Sequence, residues 1–313
     1  MLAIVGTTFA VVGVIINKEL LKSMKRIFCL FILTLNLSIS LSQIQNNREI
    51  KICDSKTKLP VPYTTVRSID FKYGTYADSK GFFILNNNFT DSLHISSIGY
   101  IKRKISQKEI VGNIIYLEPY VIELKPIIVK SRKFIGEETL GIPDGNKSTV
   151  WGSGGYGDEF AQKISFPDTN KVYKIELVAI GAERFDETIP ILLHVYSMGL
   201  DGFPNENILT NKILLTKDNF SKAKKKIIID IRSENIFLKE ASCFVGVEWL
   251  PIPSQGHKLP TTALILTDMI PVALTYTRAF FYNKDKWAKT PKISLAQKNP
   301  NNTIISIKTT VFE

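Results

Sequence analysis

The sequence predicts an all-β protein of two successive sandwiches, and three observations carry that prediction. From residue 48 onward, short apolar runs are separated by turn residues every 8–12 positions, the spacing of stacked sheets. Across 48–130 no segment sustains the 3.6-residue periodicity of an amphipathic helix. Hydrophobic residues make up 44% of the chain and aromatics 10%, enough to fill packed cores, which excludes a largely disordered chain. A length of 313 residues favours about two domains.

The first 42 residues stand outside the sandwiches. They hold two apolar runs, 1–16 and 27–41, each short of the ~20 residues of a spanning helix. Read from Met24, Lys25 and Arg26 form a positive n-region and 27–41 an apolar h-region. Ser40-Leu41-Ser42 then supplies small residues for cleavage before Gln43. The expectation is a start at Met24, an upstream extension over 1–23, and export to the periplasm, outer membrane or cell surface. The rival is a membrane hairpin of the two runs, so membrane contact is expected only through this segment, if it is retained. Cys29 sits inside the apolar run rather than just after it, which disfavours a lipid anchor. Removing 1–42 leaves 36 basic against 28 acidic residues, a charge of +8.

In a first domain, 48–130, candidate strands are 49–53, 63–69, 74–77, 82–85, 92–98, 101–105, 113–117 and 127–129. Asp78-Ser79-Lys80-Gly81 has the Asp-first, Gly-fourth pattern of a type I turn and would join 74–77 to 82–85. Pro60 and Pro62 precede a strand, where a missing N–H costs little.

These residues also carry a resemblance. Asp54, Thr57, Pro60 and Pro62-Tyr63-Thr64-Thr65-Val66 open the pattern, and Gly74-Thr75-Tyr76-Ala77-Asp78 through Gly81-Phe82-Phe83-Ile84-Leu85 form its centre. Ser96-Ser97-Ile98-Gly99-Tyr100 and Leu117-Glu118-Pro119 with 124–129 complete it. In this order they resemble the carboxypeptidase-like regulatory domain over about 80 residues, with Ile50 where Gly is usual and Pro126 where an acid is common. The resemblance implies a seven-stranded, transthyretin-like or Ig-like sandwich of the kind that begins many exported and outer-membrane proteins of Bacteroidetes-type bacteria, TonB-dependent receptors among them. It implies no peptidase activity. A zinc peptidase needs His and Glu at ligand spacing, and His94, His194 and His257 lie 100 and 63 residues apart with no ligand-spaced Glu. His94 alternates with Leu93 and Ile95 and reads as an outward-facing polar residue.

Residues 131–150 read as a linker, polar with Gly141, Pro143 and Gly145. The domain that follows, 151–313, has candidate strands at 161–166, 172–180, 189–196, 212–216, 226–231, 244–250, 263–267, 279–282 and 304–311, and reads as a jelly-roll-like sandwich. Its pieces around Gly202-Phe203-Pro204, Gly246-Val247-Glu248-Trp249-Leu250 and Lys286-Trp287 loosely resemble a C-terminal β-domain that accompanies the regulatory domain. That resemblance brings no activity with it.

Candidate ligand-binding residues are Trp151, Tyr156, Glu248, Trp249, Tyr282 and Trp287. Trp151 and Tyr156 flank glycines and offer a platform for a sugar ring. Glu248 and Trp249 fall on opposite faces of one strand, so one of them meets the core. A buried Glu248 would need a partner, with Arg184, Arg232 and Arg278 as candidates. Phe280, Phe281 and Tyr282 divide between two faces, one of which, with Trp287, offers aromatic surface.

No catalytic residues are assigned. No Gly-x-Ser-x-Gly elbow occurs, and the cysteines left after leader removal, Cys53 and Cys243, read as separate buried hydrophobes. No cofactor is expected. The one metal left open is a structural Ca²⁺ on loop acids (Asp158, Glu159, Asp186, Glu187, Asp201, Glu206), which lack diagnostic spacing. Nucleic acid is not an expected partner, because the one dense basic cluster, Lys222 with Lys224-Lys225-Lys226, lacks interleaved aromatics. The expected function is a non-catalytic envelope module that binds a glycan or a protein. The alternatives are a glycan hydrolase using acidic residues of 151–313 and an accessory to a TonB-dependent uptake system.

Overall fold

The computed structural model describes residues 47–70, 72–120, 133–152, 157–250, 261–279, 286–290 and 299–313. The expected leader, the run 127–129, Tyr156, His257 and Phe280-Phe281-Tyr282 lie outside the described residues. The fold is all-β, with sheets stacked as sandwiches. Asn47–Glu313 forms one compact unit in which two main apolar cores are each enclosed by a pair of sheets.

Among the described residues the first sandwich has seven strands, β1 (Arg48–Asp54), β2 (Thr65–Ser68), β3 (Gly74–Tyr76), β4 (Phe82–Leu85), β5 (Ser92–Ser96), β6 (Arg103–Ser106) and β7 (Ile114–Leu117). One sheet runs β4-β1-β7, with β1 antiparallel to β4 and parallel to β7; the other runs β3-β2-β5-β6. Ile50 and Ile52 of β1 face Val66, Leu93 and Ile95 of the second sheet, all essentially without solvent exposure. Alternation explains the arrangement, since successive side chains point to opposite faces and the apolar ones line the inner face.

The turn at Asp78 forms as expected, with Gly81 N–H donating to Asp78 C=O (3.1 Å) and Asp78 Oδ1 accepting from Lys80 and Phe82 N–H (2.8 Å each). It does not close a hairpin, because β3 and β4 belong to different sheets. Asp54 organises the loop after β1. Its Oδ1 accepts from Lys56 and Thr57 N–H (2.7 Å each), and Tyr100 O–H donates to Oδ2 at 3.1 Å.

The second sandwich is built from β8 (Phe134–Gly141), β9 (Thr149–Trp151), β10 (Asp158–Ser165), β11 (Val172–Arg184), β12 (Ile191–Met198), β13 (Pro204–Asn207), β14 (Ile213–Leu214), β15 (Phe220–Ser221), β16 (Lys226–Asp230), β17 (Phe237–Leu238), β18 (Ser242–Trp249), β19 (Ala263–Thr267), β20 (Thr275–Ala279), β21 (Ala288–Lys289), β22 (Asn302–Thr303) and β23 (Ile305–Phe312). One sheet runs β13-β12-β18-β10-β20-β21 with β14 on β12. The other centres on β11, which pairs with β16, β17, β19 and β23. Leu193, Val195, Val245, Val247 and Trp249 of the first sheet meet Tyr173, Ile175, Val178 and Ile180 of β11 in the core.

The expected linker is a correction. β8 pairs along β23 from Phe134 opposite Phe312 to Gly141 opposite Ser306, and β9 pairs with β19, so the second sandwich begins near residue 134. β8 has one half-buried and one exposed face. Polar residues are compatible with such a strand, and its composition resembles that of a loop.

Cys53 and Cys243 are free, buried thiols of different sandwiches, Cys243 within the second core, where burial pushes its thiol up to about 12. The lysine cluster forms an exposed turn between β15 and β16. Among the described residues no helix is long and apolar enough to cross a membrane.

Candidate functional site

The outer face of the β12-β18-β10-β20 sheet carries polar side chains where its inner face carries the core. On this face lie His194 and Tyr196 of β12, Gly246 and Glu248 of β18, Glu159 of β10 and Arg278 of β20. Glu248 pairs across the strands with Glu159, and Glu159 in turn with Arg278. His194 pairs with Gly246. A Cβ on Gly246 would sit 3.0 Å from Glu159 Oε1, 3.1 Å from the Tyr196 ring and 3.3 Å from His194 Cβ. The missing side chain lets three polar groups converge.

Two hydrogen-bonded chains result. In the first, Asn207 Oδ1 accepts from Leu209 N–H at 3.0 Å, which turns the Asn207 amide N–H toward His194 Nδ1 at 2.7 Å. The ring proton therefore sits on Nε2, which donates to Glu248 Oε2 at 2.8 Å. In the second, Glu159 is buried, accepts from Tyr196 O–H at 2.6 Å, and takes Arg278 Nε and Nη2 at 3.1 and 2.5 Å. The His194 and Tyr196 rings stack 5.3 Å apart, tying the chains together.

The charges follow from these contacts. Burial works against the Glu248 carboxylate. The His194 hydrogen bond and the nearby Arg278 and Arg67 charges outweigh it, so its pKa lies below the ordinary value. Burial likewise opposes the Arg278 charge, and Glu159 more than restores it. Burial pushes the Tyr196 hydroxyl well up, reinforced by Glu159.

Over this face lies the outer face of β2 and β5 of the first sandwich with the chain that follows β5, and a pocket of about 550 Å³ lies between them. Tyr63, Arg67, His94, Tyr100 and Lys102 line its first-sandwich wall, and Lys212 reaches in from the chain before β14. Ile98 packs against the second core, and Lys212 Nζ donates to the Pro62 carbonyl, so the pocket is held at a direct junction. Gly99 adopts φ +76° there, its Cα side within reach of the Thr210 carbonyl. Burial brings Arg67 down to about 10, helped by the Arg278 charge. Burial also brings Lys212 down to about 7.

No family model matches the chain, and no curated protein does. Among solved structures, BcpA, the major pilin subunit of Bacillus cereus, aligns at TM-score 0.17 and 11% identity over 79% of this chain and 67% of its own. A single-residue variant of that pilin aligns at 0.16 and 10% over 85% and 84%. Likeness this low carries no argument about this chain.

Of the four sequence candidates among the described residues, only Glu248 lines the pocket. Trp249 is a correction. It has no exposed surface and donates Nε1–H to the Thr262 carbonyl at 3.3 Å, because alternation along β18 turns it into the core when Glu248 turns out. Trp151 sits on β9, packed edge-to-face on Phe160 (5.9 Å) and away from the pocket. Trp287 lies behind the lining, with Arg278 over its ring at 4.6 Å and Tyr196 against its edge at 5.8 Å. Tyr156 and Tyr282 fall outside the described residues.

The expected partner of Glu248 was an arginine. His194 makes the contact instead, while Arg278 goes to Glu159, Arg184 to the Thr261 carbonyl and Arg232 to Asp230. His94 lies on the outward face of its strand, as read, and that face lines the pocket. The sequence reading missed Arg67, Lys102, Lys212, Tyr196 and Asn207. The one local signal was Gly246 two residues before Glu248, a small residue on the same strand face as an acid. Among the described residues no cluster of three or more His, Cys, Asp or Glu is gathered for a metal, and Glu159 is occupied by Arg278 and Tyr196.

Proposed function

We propose that the protein is an exported cell-envelope binding module, with a first sandwich of the carboxypeptidase-like regulatory type, that holds a glycan in the pocket between its two sandwiches. The observation that carries this reading is the pocket itself. At about 550 Å³ it is in the size range of ligand sites, and it combines tyrosine rings with polar groups already fixed by hydrogen bonds. Rings and oriented donors and acceptors are what sugar faces and hydroxyls require.

The adjacent acids Glu159 and Glu248 favour hydrolysis as the second reading, since a glycosidase needs two carboxyls across a scissile bond. One of them must hold a proton as general acid. Glu248 is biased toward its charged form, and Glu159 is tied to Arg278 and Tyr196. Binding without turnover is therefore preferred.

Calorimetry of the full chain against a glycan panel tests the proposal. Binding is expected without release of reducing sugar, and Glu248→Gln or His194→Ala should weaken it about tenfold. Turnover abolished by Glu248→Gln would establish the hydrolase instead. Recovery of an outer-membrane receptor from envelope extracts would support the uptake-accessory role.

A further inference from the structure

The two sides of the pocket differ in charge. Its acids, Glu159, Glu206 and Glu248, all come from the second sandwich. The first-sandwich wall supplies Arg67, His94 and Lys102 and, among the described residues, no Asp or Glu. Those cations are close enough to oppose one another. After burial, the Arg278 charge disfavours protonated Arg67 while Glu248 favours it; Arg278 and Arg67 disfavour protonated Lys102 while Glu159 and Glu248 favour it. Meanwhile the acids Glu159 and Glu248 are engaged by Arg278, Tyr196 and His194. The first-sandwich wall therefore turns positive charge toward the pocket, and a wall of one sign attracts a ligand group of the other.

We propose that the pocket selects an acidic saccharide, its carboxylate facing Arg67 and Lys102 and its hydroxyls facing Glu248, His194 and Asn207. This rests on the glycan-binding reading and names the class of sugar. A guanidinium is suited to hold a carboxylate in two-point fashion, which an ester of the same sugar does not offer. Lys212, with its pKa near 7, adds a further positive charge as pH falls through that value.

The test compares an oligogalacturonate with its methyl ester, which differs in carboxylate charge, by calorimetry on the full chain. The acid is expected to bind at least tenfold more tightly at low salt. Its advantage should shrink as salt rises and grow between pH 8 and pH 6. Arg67→Gln should remove most of that advantage, weakening the acid more than the ester. Lys102→Gln, at an exposed position, should act in the same direction and guards against a misfolded Arg67 variant. Equal binding of acid and ester overturns the acidic-sugar inference and leaves the glycan reading standing. Binding of poly-glutamate with no binding of any sugar overturns both, as does the absence of binding to either sugar and to neutral glycans.

Discussion

Glu159 shows how much a single buried group can decide. Its carboxylate is 1% exposed and satisfies both the Arg278 guanidinium and the Tyr196 hydroxyl. Deleting it strands a cation that the surrounding sheet has largely removed from water, and breaking such a pair costs about 3–5 kcal/mol. Glu159→Ala is expected to lose about 3 kcal/mol in urea unfolding, near the low end because Arg278 keeps 22% of its side-chain surface exposed. Glu159→Gln keeps an acceptor for both partners and should lose less. The sequence displayed Glu159 only as one acid among many. Its partners lie 37 and 119 residues away, beyond the reach of any local pattern.

On the scale of the strand, Gly246 sets how closely β12, β18 and β10 bring their polar side chains together. An added methyl would press within 3.0–3.3 Å of Glu159, Tyr196 and His194, none of which moves without disturbing a hydrogen bond or ring stack. Gly246→Ala should therefore cost about 1–3 kcal/mol as an overpacking change, with weaker ligand binding, both read from urea titration and calorimetry. Strand alternation made part of this legible, because Gly246 and Glu248 must share one face and Trp249 the other. Which face met the core was not legible. A Glu and a Trp in alternation give the same pattern either way round, and only the packing of Trp249 against Phe160 (5.9 Å) on the inner side breaks the tie. β8 was misread for a related reason, since a polar-rich strand has the composition of a loop until its partner, 165 or more residues away, is in place.

At the scale of the molecule, Lys212 spans the junction of the two sandwiches by donating to the Pro62 carbonyl. Its folded pKa near 7 lies below the ordinary 10.5 because burial disfavours its charge. Between those values the unfolded chain binds the additional proton, so native stability rises as pH increases from about 7 toward 10.5. Below 7 both states are protonated and the burial cost is present in full. Lys212→Met removes the titration. It should flatten the pH dependence of the urea midpoint between pH 7 and 10, with its largest relative gain at or below pH 7. An unchanged slope would mean that Lys212 is not desolvated at the junction.

By itself the sequence determined the all-β class, most strand positions, the turn at Asp78 and the separation of Cys53 from Cys243. All of these follow from two-residue alternation and turn chemistry, which act over a few neighbouring residues. Only the tertiary structure decided that residues 134–151 belong to the second sandwich and that Trp249 is core. It alone gathered Arg67, Lys102, Lys212, His194 and Glu248 around one pocket. Those residues come from separate strands and loops of two sandwiches, and their proximity is set by how whole sheets pack, which leaves no short-range mark along the chain.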